Sequence, residues 1–315
     1  MTGRLARDDE VETWQRDGWV LLDGLVDVAT IDAAATGLVD IFPTVAAYHA
    51  DPDGERERWL GVPPPDKGWV WPAHGPGFRP EQHRWIHRFP FGGGDALNRL
   101  CVHPSIVDFV ERALGSPDIR LYQAGVSAKY TGETNYEQPM HTDRNHSWLP
   151  PRSEPPWWHV ETFLYLCDVD AESAPTHLVS VRDSAGRSST TPLFMPQQDP
   201  ELYAAERGAA GVRGSLLAYR PDVFHRAVDL TAPGGGRFLL NASFKCAGQE
   251  WVGYDAIQAR ANDPAWERFV AHSTPRELDL FGFPQPGHPI WDEALVEATA
   301  ARYPGLDVTP WRDAL

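Results

Sequence analysis

An imidazole and a carboxylate stand two positions apart at His141 and Asp143, and another imidazole follows at His146, all within "QPMHTDRNHSW". At the end of a strand, residues i and i+2 point to the same side, so such a pair can grip one cation. A further imidazole from a distant strand, His225 in "YRPDVFHRAV", completes a triangular face. Three ligands on one face leave the opposite positions open for substrate, cosubstrate and oxygen, which is the facial triad of non-haem Fe(II) oxygenases. Arg237 lies beyond His225 at the start of another strand candidate. A guanidinium there can hold a carboxylate bidentately near the metal.

With twelve histidines in the chain, a chance His-x-Asp is common, so position has to supply the weight. The pair sits just after one strand candidate, and His225 follows "GSLLAY". A competing His-x-Glu, His159 to Glu161, lies mid-strand between Trp157 and Phe163, on a face that reads as packed. The loop-proximal pair is preferred because sites sit at strand ends more often than in strand middles. His146 falls past the strand end and reads as a substrate contact or a structural hydrogen bond. The Rossmann glycine pattern, the P-loop, H-E-x-x-H and G-x-S-x-G are all absent. "PGGGR" precedes a strand and reads as a turn, not a phosphate cradle.

The elements that must position these residues follow from local pattern. "DDEVETWQRDG" opens acidic, keeps helical spacing at Val11 and Trp14, and ends at Gly18. "WVLL" is a short strand, "DVATIDAAATGLVDIF" a second helix stopped by Pro43, and "HPSIVDFVERALG" an amphipathic helix with a glycine stop. Residues 50–80, rich in Pro, Gly and Trp, form an irregular loop. After residue 118 the texture changes. "IRLYQAGVSAKY", "WWHVETFLYLCDV", "THLVSV", "GSLLAYRP" and "GRFLLNASFKC" are short runs of β-branched and aromatic residues separated by turns. Strands after a helical start imply a mainly β sandwich or barrel with flanking helices. The expected organisation is one domain over 1–315: a helical region 1–117, a β core 118–248 and a helical tail 249–315.

Charge narrows the function. Lys plus Arg number 28 against 44 Asp plus Glu, a formal −16, so no general nucleic-acid or membrane-surface binder is expected. No apolar run approaches the ~20 residues of a membrane helix, and the first residues lack a signal-peptide pattern. Cys101, Cys167 and Cys246 are far apart and read as buried thiols of a cytoplasmic protein.

Taken in order, these segments resemble the phytanoyl-CoA dioxygenase family of Fe(II)/2-oxoglutarate-dependent oxygenases over most of the chain. "WQRDGWVLLDGLVD" resembles its opening helix and strand. "HPSIVDFVERALGSPDIRLYQAGVSAKYTG" resembles its helix and first core strand, "MHTD" its H-x-D, and "FHRAVDLTAPGGGRFLLNASF" its distal His and following Arg. The resemblance implies a double-stranded β-helix (jelly-roll, cupin-like) that holds Fe(II) by His141, Asp143 and His225. It also implies that Arg237, assisted by Lys129, binds the distal carboxylate of 2-oxoglutarate. With O2, oxoglutarate would be decarboxylated to succinate and CO2 while a small or medium-sized metabolite is oxidised, hydroxylation being the default. The chain departs from the pattern at Ala174, where glycine is common, at "SVRDS", and at Ala227, where serine is common.

Two readings of different classes stand: this oxygenase, or a non-catalytic double-stranded β-helix that binds a metabolite. Halogenases of this type commonly lack the carboxylate ligand, and Asp143 is present. Two segments are expected to wall the substrate pocket. One is the Trp/Pro-rich stretch 59–85. The other is 144–158, with Arg144, His146, Trp148 and Trp158; Arg144 could pair with a substrate carboxylate. Only scattered arginines, such as Arg79, Arg84 and Arg88, are available for the phosphates of a coenzyme A thioester, so that substrate class is not expected.

Overall fold

The computed structural model describes residues 2–55, 84–86 (backbone), 89–132, 137–143, 146–147, 149, 151–152, 154–187, 193–249, 251–252 and 264–315. Its framework is antiparallel β-sheet with flanking helices. The strands are β1 (Trp19–Leu22), β2 (Arg84–Ile86), β3 (Ile119–Tyr130), β4 (His159–Tyr165), β5 (His177–Val179), β6 (Arg207–Gly208), β7 (Leu216–Tyr219), β8 (Phe224–Arg226) and β9 (Gly236–Cys246). The larger sheet has the order β1-β7-β4-β9-β3-β2 and the smaller one β6-β5-β8. All the ladders are antiparallel.

Period-2 alternation divides the larger sheet cleanly. Even-numbered residues, among them Val126, Val160, Leu164, Leu216, Leu240 and Phe244, face outward into the main apolar core. That core also holds Trp14 of the first helix, α1 (Asp8–Asp17), and Ile106, Phe109 and Val110 of the helix Pro104–Leu114. Odd-numbered residues face inward, except at the start of β3, where Ile119 and Leu121 join the main core. Tyr165, Leu217, Tyr219 and Leu239 meet Leu178 of the smaller sheet and Val223 in a second cluster. Covering by helices on one side and by strands on the other buries both faces of the sheet.

The helices form as their caps and spacing dictate. α1 ends at Gly18 with φ 85°, and its N–H bonds to the Trp14 carbonyl. A Cβ at Gly18 would meet Val223 Cγ2 at 2.6 Å, so only glycine fits there. The segment expected as one second helix is Val28–Ala35 continued by a 3₁₀ turn, Thr36–Asp40. The 3₁₀ turn tightens the last residues before Pro43. The described C-terminal residues hold helices at Pro264–Ala271, Pro275–Asp279, Glu293–Arg302 and Thr309–Arg312. The expected loop 50–80 lies outside the described residues apart from 50–55. Among the described residues no helix is long and apolar enough to cross a membrane. All three cysteines are free thiols.

A buried ion pair fastens the turn between β7 and β8 to α1. Arg220, 2% exposed, bonds Asp222 through Nε at 2.9 Å and Nη2 at 2.6 Å, and donates Nη1–H to the Gln15 carbonyl at 3.0 Å. This turn delivers His225. Removing one partner of such a pair strands a buried charge at a cost of about 3–5 kcal/mol. Asp222→Ala should therefore lose that much stability in denaturant unfolding, and the Arg220→Met/Asp222→Leu double variant clearly less. Equal losses in the two would mean that the pair is not the fastening.

Candidate metal centre

His141 and His225 are joined by backbone. They form an antiparallel bridge in which His141 N–H donates to the His225 carbonyl at 3.0 Å and His225 N–H donates to the His141 carbonyl at 2.8 Å. The bridge, with Met140 paired to Phe194 beside it, extends the smaller sheet past β8. It sets the two imidazoles with ring centroids 4.4 Å apart. Two residues further on, Asp143 brings Oδ2 to 3.5 Å from His225 Nε2. Ligand-capable atoms of His141, Asp143 and His225 all lie within 4.8 Å of one another, and all three residues are buried.

The tautomers are set by the backbone. His141 Nδ1 lies 2.9 Å from the Pro139 carbonyl and His225 Nδ1 lies 3.0 Å from the Val223 carbonyl. A carbonyl only accepts, so each Nδ1 carries a proton and each Nε2 is the atom that remains for a metal. The carboxylate is steadied as well: the Tyr219 hydroxyl donates to Asp143 Oδ2 at 2.9 Å. Burial, reinforced by the adjacent His225 ring, pulls the His141 pKa down to about 4, so this imidazole is neutral near pH 7. Burial also works against the Asp143 charge. The His225, His146 and His141 rings outweigh it and hold the carboxyl well below its ordinary range. Burial lowers the His225 pKa, but the Asp143 charge and hydrogen bond more than reverse this. A cation entering the group would displace the proton that His225 Nε2 shares with Asp143, and the donor set is then two imidazole nitrogens and an ionised carboxylate, which suits a divalent first-row metal.

Lys129 and Arg237 are register partners on β3 and β9, both on the inner face and both buried. Lys129 Nζ donates to the Val228 carbonyl and Arg237 Nη1 to the Ala174 carbonyl. Burial, with the Arg237 charge adding to it, brings Lys129 down to about 6. Burial brings Arg237 down to about 10. Ala174 has φ 56°, the left-handed region that favours glycine. The departure from glycine noted in the sequence is therefore a strained residue, and its carbonyl anchors Arg237.

Beside the triad, sequence reasoning undervalued a polar set. Glu161, 1% exposed, projects inward from β4 at the register position opposite Tyr219. Its Oε1 accepts from the Tyr122 hydroxyl and lies 3.0 Å from His146 Nδ1, while Oε2 accepts from the Ser243 hydroxyl. Tyr122 is even-numbered and would face outward. The β3–β9 register slips between Leu121 and Gln123, and this bulge turns Tyr122 inward. Ligand-capable atoms of Asp143, His146 and Glu161 form another group within 4.8 Å. His159 lies on the same face. The mid-strand His-x-Glu thus borders the metal group instead of packing a core. The available signal was the shared phase of polar odd positions in "HVETFLY" and "RFLLNASFKC", on strands whose even positions are apolar apart from Thr162.

Of the expected substrate contacts, His146 reaches this cluster. Trp158 packs edge-to-face on Trp251 at 5.3 Å. Arg144, Trp148 and the wall 59–85, apart from the backbone of 84–85, lie outside the described residues.

No family model matches the sequence, and no curated protein matches it. Solved structures do match. The non-heme alpha-ketoglutarate-dependent carbocyclase SnoK from nogalamycin biosynthesis aligns with a TM-score of 0.55 at 14% identity, over 81% of this chain and 90% of that one. The epimerase SnoN, in complex with Fe3+, alpha-ketoglutarate and nogalamycin RO, aligns with a TM-score of 0.51 at 18% identity, over 76% and 83%. HygX from Streptomyces hygroscopicus, with nickel, 2-oxoglutarate and hygromycin B bound, aligns with a TM-score of 0.51 at 12% identity, over 79% and 96%. At these identities the likeness is one of fold.

Supports such as the Tyr219 hydroxyl typically account for 10–100-fold in metal affinity. Tyr219→Phe should weaken Fe(II) binding by about that factor in a competition titration against a chelator. An unchanged affinity would show that Asp143 needs no such support.

Proposed function

We propose that this protein is an Fe(II)/2-oxoglutarate-dependent oxygenase built on a double-stranded β-helix, acting on a small or medium-sized metabolite. The observation that carries the reading is the His141–Asp143–His225 group, with both Nε2 atoms freed for a metal by Nδ1–H bonds to carbonyls. In this reading the three residues ligate Fe(II). The resemblance to the phytanoyl-CoA dioxygenase family and the fold shared with SnoK, SnoN and HygX support it. Iron with oxoglutarate and O2 would supply the oxidising power, releasing succinate and CO2.

The chain's own residues bind, orient and exclude water. Arg237, with Lys129 beside it, holds the distal carboxylate of oxoglutarate through charge-assisted bonds. Both cations are buried, and an anion set between them offsets the cost of keeping them charged. Tyr165 and Phe163, inward on β4, line the path from this anchor toward Tyr219 and the triad. Tyr219 holds Asp143 in place, and the Pro139 and Val223 carbonyls fix the imidazoles. Hydroxylation is the outcome assigned to the substrate. Fold relatives that include a carbocyclase and an epimerase make product mass the deciding readout: a hydroxylated product is one oxygen atom heavier than its substrate.

Oxoglutarate-dependent succinate release that requires Fe(II) tests the reading against a non-catalytic binder. Losing a charged bidentate partner in a buried site costs about 2–5 kcal/mol. Arg237→Ala should therefore raise the apparent oxoglutarate constant by well over tenfold while iron binding changes little. Identical oxoglutarate dependence in the variant and the wild type would place the anchor elsewhere. Lys129 gives a second test. With its pKa near 6 in the free protein, it is mostly neutral above neutrality and should take up a proton when the oxoglutarate carboxylate arrives. Calorimetry at about pH 7.5 in buffers of different ionisation enthalpy should show net proton uptake on oxoglutarate binding. Zero uptake would remove Lys129 from the anion site.

A further inference from the structure

The inner face of the larger sheet has an order that the proposed reaction leaves partly unused. Tyr219, which holds Asp143, is opposite Glu161 on β4. Toward one end of β4 lie Phe163 and Tyr165, and Tyr165 pairs with Leu239, two residues from Arg237 on β9. Toward the other end lies His159, paired with Lys245. The oxoglutarate anchor and the Glu161 set thus lie on opposite sides of the metal level.

The Glu161 set is built, buried and incomplete. Glu161 is held by Tyr122, Ser243 and His146. An ionised carboxylate offers about four acceptor sites, so these three leave capacity for one more donor. Asn241 is 3% exposed and gives its Nδ2–H groups to the Thr162 carbonyl and Ser243 Oγ, both at 3.0 Å. Its Oδ1 has no hydrogen-bond partner among the described residues, and neither has His159 Nε2, on a side chain 2% exposed. A buried acceptor left unpaired costs about 1–3 kcal/mol, which a ligand donor recovers.

We propose that Glu161, Asn241 and His159 form the recognition face for a substrate that presents hydrogen-bond donors, amine or hydroxyl, beside the carbon to be oxidised. The inference rests on the oxygenase reading and deepens it. An apolar acyl chain laid on this face would leave the Asn241 carbonyl oxygen and the His159 nitrogen unpaired. A substrate carboxylate would meet the Glu161 charge. An ammonium group gains a charge-assisted bond to Glu161, and a hydroxyl a neutral one.

The test uses the full chain loaded anaerobically with Fe(II) and oxoglutarate, read by the visible charge-transfer absorption of that complex. The probes are 2-deoxystreptamine, which carries amines and hydroxyls, myo-inositol, which carries hydroxyls only, and hexanoate, an apolar acid. 2-Deoxystreptamine or myo-inositol should perturb the absorption saturably, and hexanoate should not. Glu161→Gln should form the same oxoglutarate absorption yet raise the probe's Kd by about tenfold or more. If Glu161→Gln does not form the absorption, Asn241→Ala is read in the same way. No response to either donor-bearing probe, a response to hexanoate alone, or a probe Kd that the substitution leaves within about twofold would overturn the inference while leaving the oxygenase reading intact. Two iron ions per chain, falling to one in Glu161→Gln, would overturn it too, by making Glu161 a metal ligand with Asp143 and His146. Failure of the wild type to form the absorption at all would instead overturn the oxygenase reading, and the inference with it.

Discussion

Two reciprocal backbone hydrogen bonds between His141 and His225 are the constraint on which the site depends. They join segments far apart in the chain, so the imidazole pair exists only once the smaller sheet has closed beside β8. Side-chain geometry then follows with little freedom. Each ring is pinned at Nδ1 by a carbonyl two residues before it, Pro139 in one case and Val223 in the other. The same local device is used twice, and in both cases it leaves Nε2 pointing into the group shared with Asp143. The Arg220–Asp222 pair secures the turn that delivers His225, so the first helix contributes to the site without touching it.

The larger sheet does the complementary work. Its even positions past the β3 bulge are mostly apolar and face the helices. Its odd positions carry Lys129, Tyr165, Glu161, His159, Arg237, Asn241 and Ser243, which is unusual company for a buried face. Each of these polar groups opposes folding unless something pairs with it. Neighbours within the face meet part of that demand. In the proposed reading, an anion at Lys129 and Arg237, a metal at the triad, and donor groups at Glu161 and Asn241 would add to these pairings. Ala174, held at positive φ with its carbonyl on Arg237, is a local strain of the kind that collects at functional sites.

Much of this was legible in the sequence, for physical reasons that can be named. The long strands β3 and β9 and the helix Pro104–Leu114 stand out because their periodicity and end signals agree. His141, Asp143, His225 and Arg237 stand out by the His-x-Asp spacing, by their places beside strand candidates, and by the order of segments that resembles the phytanoyl-CoA dioxygenase family. What stayed hidden depends on distance or on exceptions. β8 is three residues long and β6 only two, too short to show a period. Glu161 was read as packed because alternating polar residues on a strand do not reveal whether their face meets solvent, a core or a ligand. Tyr122 sits on the wrong parity for the inner face, and only the register slip after Leu121 brings it to Glu161.

The central claim is that His141, Asp143 and His225 together hold one metal ion. Anomalous scattering at the iron edge, from crystals of the protein grown anaerobically with Fe(II), tests it most directly. The account requires a single peak per chain, at about 2.0–2.2 Å from His141 Nε2, His225 Nε2 and an Asp143 oxygen. A peak bound instead by Asp143, His146 and Glu161, or no peak at either group, would contradict it.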